Sequence, residues 1–149
     1  METTGAVRRM TPRYRAALML AGLAFLASCM EQPAPVASGA RLYAIDLSGG
    51  AKHCVVPKVV LAPGKVTPVT MQVGNDGGWC GITVALDGHP YAAGLLSTQA
   101  AHGRVHIHPV GDNTRIDYTP DSRFVGPDSF VVTLLPGRPA IHATVTVVR

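Results

Sequence analysis

Six histidines, three cysteines and nine acidic residues are the side chains of this 149-residue chain with which chemistry could be done. His106 and His108 stand at i and i+2 in the run Arg104-Val105-His106-Ile107-His108. On a strand both rings leave the same face and could chelate Zn²⁺ or Cu²⁺. His102 shares their parity, and His142 falls on the outward face of the last apolar run. The spacing fixes no third ligand, and no methionine or cysteine cluster suits a copper carrier. The plain expectation is a solvated sheet face with no metal and no cofactor. The alternative is a metal- or small-ligand-binding protein using His106 and His108.

The acids argue against catalysis. Glu31 is the only glutamate after residue 29, and it lies in a Pro/Ala-rich stretch. Asp76, Asp87, Asp112, Asp121 and Asp128 sit in turn-type sequence, where the carboxylate caps backbone N–H groups. Asp46 precedes Ser48-Gly49-Gly50. Asp117 remains, expected to point outward and face Arg104 or a histidine across a hairpin. No carboxylate pair is left for acid–base work. Gly-x-Ser-x-Gly is absent, and Ser48-Gly49-Gly50 alone is a weak nucleophile signal. Clustered acids of a Ca²⁺ site are missing too, and Asp128 reads as structural. No enzyme is expected.

The third cysteine has a different context. Arg8, Arg9, Arg13 and Arg15 form a positive cluster, residues 16–27 are uninterrupted apolar sequence, and Leu26-Ala27-Ser28-Cys29 follows. This resembles the lipobox of bacterial lipoproteins, whose cysteine thiol receives a diacylglyceryl group. Residues 16–27 are too few for a membrane span, which needs about 20, and suit a signal peptide. Arg8-Arg9 lacks the apolar pair of a twin-arginine signal, so the general secretory route is expected. The resemblance implies a signal peptide over 1–28, lipid on Cys29 and an address in the cell envelope. Met30 after the cysteine, by analogy with lipoprotein sorting, implies the outer membrane facing the periplasm.

Removing that segment changes the charge. Four of 13 basic residues and one of nine acids precede Cys29, leaving nine against eight and a net charge of +1. The basicity belongs to the targeting peptide, so nucleic-acid binding is rejected. With Cys29 acylated, Cys54 and Cys80 are the only exported thiols, and an oxidising compartment pairs them. Cys80 shares parity with Ile82, Val84 and Leu86 and should face the core, with Trp79 covering the outer face. The two cysteines and His53 offer too few ligands for a metal.

Residues 29–39 form the lipidated N-terminus and a flexible tether. Residues 40–149 suffice for one domain. Apolar residues alternate along Tyr43/Ile45/Leu47, Val69/Met71/Val73, Ile82/Val84/Leu86, Val105/Ile107, Ile116/Tyr118, Phe130/Val132/Leu134 and Ile141/Ala143/Val145/Val147. A period of two means strands with one buried face. Turn signals separate them at residues 75–78, 87–88, 111–113, 120–122 and 135–138. Residues 91–101 read as a short helix or an inter-sheet connection. An antiparallel β-sandwich of about seven strands is expected.

The C-terminal part, about residues 100–149, resembles bacterial Ig-like and cadherin-like repeat domains. The resemblance rests on Gly103 before a strand, Tyr118-Thr119-Pro120, Phe124-Val125-Gly126-Pro127-Asp128-Ser129-Phe130 and the valine-rich end. It implies an Ig-like sandwich and no activity, because such modules serve as spacers or adhesion units. The chain carries one such unit, and Cys54 and Cys80 lie outside the match. The function expected is a membrane-anchored envelope lipoprotein acting as a non-catalytic binding or structural module. Its partners would be the membrane, through the lipid anchor, and an envelope protein or polymer.

Overall fold

A computed structural model describes residues 44–149 and shows an all-β sandwich. The expected signal peptide, Cys29 with its lipid, the tether and Tyr43 lie outside the described residues. A 3-10 turn, Ala44–Leu47, precedes eight strands: β1 (Cys54–Val55), β2 (Val66–Gly74), β3 (Cys80–Val84), β4 (Ala93–Thr98), β5 (Gly103–Val110), β6 (Asn113–Pro120), β7 (Gly126–Leu135) and β8 (Ala140–Val148). One sheet has the order β1-β2-β8-β7-β4, and the other β3-β6-β5.

Alternation places the core between the sheets. Val69, Met71 and Val73 of β2 meet Ile82 and Val84 of β3 and Ile116 and Tyr118 of β6. Phe130, Val132 and Leu134 of β7 join Ile141, Ala143, Val145 and Val147 of β8. All are buried, and each large aliphatic side chain withdrawn from water stabilises the fold by about 1.5–3 kcal/mol. Asp87 and Gly88 both adopt positive φ, 51° and 77°, and reverse the chain between the paired Leu86 and His89. That is the conformation an Asp-Gly hairpin turn requires.

Three expectations need correction. Pairing is not antiparallel throughout, because β2 lies parallel to β8 along its whole length, from Val66 beside Ala140 to Gly74 beside Val148. The first long strand and the last are therefore neighbours, although the chain between them crosses from sheet to sheet before the β7–β8 hairpin returns it. Ile45 and Leu47 belong to the 3-10 turn and are 75% and 61% exposed, not on a strand. The neighbouring carbonyls of Asp46 and Ser48 are taken by side chains: Arg115 Nη1 donates to Asp46 O, and Trp79 Nε1 to Ser48 O at 3.0 Å. Finally, residues 91–101 contain β4, an edge strand with an irregularity between Leu96 and Thr98. Gly94 lets β4 pass close to β5, since a Cβ there would meet Ile107 Cγ2 at 2.6 Å.

Cys54 and Cys80 form a disulfide with Cα atoms 5.3 Å apart. Cys80 faces the core, as its parity requires. Because β1 belongs to the large sheet and β3 to the small one, the bond joins the two layers covalently. It closes a loop with a sequence separation of 26, which in the chain-entropy model stabilises the fold by about 3–4 kcal/mol. Reduction under native conditions should lower the urea midpoint by that equivalent. Non-reducing peptide mapping should recover the Cys54 and Cys80 peptides linked.

Candidate functional site

β6 is the central strand of the small sheet, and its outward positions carry Arg115 and Asp117. Cross-strand register sets their neighbours. Asp117 stands opposite Gly81 of β3 and His106 of β5, while Arg115 stands opposite Thr83 and His108. Residues opposite one another share a face, so the two ions and the two histidines form one patch. Asp117 was expected on a wet face; instead it is buried, as is Arg115.

Burial of a carboxylate is tolerable only with charge-assisted partners. Arg115 Nε donates to Asp117 Oδ1 at 2.8 Å and approaches Oδ2 at 3.1 Å, and Nη2 donates to Oδ2 at 3.0 Å. The guanidinium also stacks on Trp79, 3.8 Å from the ring centroid. Gly81 makes the arrangement possible. A Cβ at that position would lie 2.6 Å from Asp117 Oδ1 and 3.1 Å from Arg115 Cγ. A glycine interrupting a strand pattern signals such a close approach; neither Gly81 nor Arg115 was singled out from the sequence, and Asp117 meets Arg115 rather than the expected Arg104.

His108 Nε2 lies 2.8 Å from Asp117 Oδ2, and the His106 ring stacks on His108 with centroids 4.5 Å apart. One ligand atom from each of His106, His108 and Asp117 falls within 4.8 Å of the others. Asp117, on the neighbouring strand, thus stands beside the histidine pair that spacing alone left with two members. His102 joins no such group; its ring stacks on Phe124 at 4.1 Å. His53 is paired with Gln72 Oε1 at 2.7 Å. Among the described residues, no serine hydroxyl hydrogen-bonds to the His108–Asp117 pair. Ser48 Oγ donates to Ile45 O, and Ser97 Oγ shares a hydrogen bond with Thr133 Oγ1.

A second constellation lies at the corner where β5, β6 and β7 meet, and it unites the motifs of the Ig-like resemblance. Asp128 accepts from the backbone N–H groups of Ala101, His102 and Ser129 and from the Tyr118 hydroxyl at 2.8 Å. Burial works to raise the Asp128 pKa, but these donors outweigh it and hold the carboxyl below its ordinary value. Burial first, and the bond to Asp128 second, push the Tyr118 hydroxyl up. Gly103 leaves room for the Tyr118 ring, which a Cβ would approach to 2.5 Å. The Asp128 carboxylate and the Tyr118 hydroxyl are thus spent on holding the corner. Asp76 does comparable work in its turn, accepting from the N–H groups of Lys52 and Gly78.

Two predictions follow from this geometry. Gly81→Ala should force the Arg115–Asp117 pair apart and destabilise the domain by about 1–3 kcal/mol, read from urea denaturation. Asp128→Asn should cost about 1–3 kcal/mol at pH 7 by weakening several hydrogen bonds to a buried acceptor. The folded pKa of Asp128 is depressed, so its ionic contribution is complete above the unfolded value of about 4. That contribution is lost as pH falls through the folded value. Denaturation of both proteins across an acid series should show their midpoints converging below pH 4.

No protein-family model matches the chain, and no curated protein matches it at a significant level of similarity.

Proposed function

We propose that the chain is a membrane-anchored envelope lipoprotein whose sandwich acts as a non-catalytic binding or structural module. The observation that carries this reading is the use made of the buried acids. Asp117 is committed to Arg115 and His108, and Asp128 to three backbone N–H groups and Tyr118. Among the described residues, neither is hydrogen-bonded to a second carboxylate, a serine hydroxyl or a thiol. What the domain offers instead is an edge. β5 spans eight residues, pairs only with β6 on one side, and ends the small sheet. Its outer row of N–H and C=O groups suits a partner that adds a strand. The anchor is supported by the sequence before Cys29.

Cys29→Ala should abolish fatty-acid labelling and move the protein from the membrane fraction to the soluble fraction. Crosslinking in intact cells should recover a reproducible envelope protein or polymer from the wild type. Unchanged labelling defeats the anchor. A soluble variant that complements a deletion fully and turns over a small molecule defeats the module.

A further inference from the structure

The geometry points to a divalent transition-metal site formed by His106, His108 and Asp117 on the outer face of the small sheet, with Zn²⁺ or Cu²⁺ as the class of ion. Two imidazoles and one carboxylate are the donor set such borderline cations prefer. The three come from only two strands. His106 and His108 alternate with inward residues of β5, and Asp117 is fixed opposite His106 by the β5–β6 register.

Distances fit with a small adjustment. In a tetrahedral shell with bonds of about 2.0–2.2 Å, neighbouring ligand atoms stand roughly 3.3 Å apart. His108 Nε2 and Asp117 Oδ2 are 2.8 Å apart, so an ion entering between them replaces one hydrogen bond and widens the gap slightly. The farthest pair of ligand atoms lies within 4.8 Å and must close in. His106 can supply that movement, because its side chain is exposed and its ring is held only by stacking on His108.

Arg115 plays the positioning part. Its bonds to both carboxylate oxygens, including the Oδ2 that His108 also contacts, fix the orientation of Asp117, as residues bonded to a metal ligand commonly do. Its charge opposes a cation, and Nη2 donates to the same Oδ2 that faces His108, while the rest of the guanidinium is held by the Trp79 face and Asp46 O. The opposing charge tempers affinity while the pre-set carboxylate favours it. A shell of three protein ligands also leaves a position open toward solvent.

The test uses the full chain in detergent, with Zn²⁺ alone as the probe. Isothermal titration should show one ion bound per chain, and Zn²⁺ should raise the melting temperature, as binding to the native state requires. His106→Ala should weaken binding at least tenfold and remove most of the thermal shift. Asp117→Asn should do the same if its circular dichroism matches the wild type. Should that variant fail to fold, His106→Ala decides alone, because His106 supports nothing else. Absence of binding overturns the site. So does wild-type affinity in His106→Ala, which would mean that other histidines hold the ion. Folded Asp117→Asn with undiminished affinity overturns it as well, because the carboxylate would then not be a ligand. None of these results bears on the lipid anchor, which Cys29→Ala tests separately.

Discussion

A carboxylate placed on the middle strand of a three-stranded sheet and closed off from water must be met by a cation at bonding distance, and in this domain Arg115 meets Asp117. Removing one partner of a buried pair leaves an uncompensated charge and costs about 3–5 kcal/mol. Much of the local structure is arranged around that constraint. Gly81 omits its side chain so that the pair can lie flat. Trp79 roofs the guanidinium, and its own N–H reaches Ser48 O. The turn at residues 44–47 is held by the same arginine. The small sheet therefore has two organised faces, one apolar and inward, the other ionic and outward.

Much of this was legible in the residues. Val, Ile and Thr at alternate positions marked β2, β3 and β5 to β8, and parity alone oriented Cys80, Ile116 and Tyr118 correctly. β4 escaped because Ala93-Gly94-Leu95-Leu96 lacks the β-branched residues that announce a strand. Its strand conformation comes from docking beside β7. The parallel neighbour of β2 escaped for a different reason. Alternation encodes which face is buried, not which strand lies alongside.

The ionic patch shows where local reading stops. That Arg115 and Asp117 share a face follows from their spacing. Trp79 covers this face as its place beside Cys80 implied, but the cover also depends on residues near 46, brought in from elsewhere in the chain. The same holds at the corner, where Gly103, Tyr118 and Asp128 form a recognisable pattern but reveal their purpose only when the ring, the carboxylate and the backbone amides are seen together. Both patterns are polar groups stabilising a fold, and the His106–His108 pair beside the first has the least structural employment of its own.

The parallel ladder between β2 and β8 bears on how the domain comes into being. Its large sheet has β8 at the centre, flanked by β2 and β7. A chain emerging from its N-terminus therefore presents β2 with no long partner until β8 follows. Local hairpins such as β5–β6 can form early, but the layer that carries most of the core cannot close in order of synthesis. Closing contacts between distant segments is the slow step in β-rich domains. Until Val148 takes its place beside Gly74, the apolar faces of β2 and β7 lack the strand that joins them.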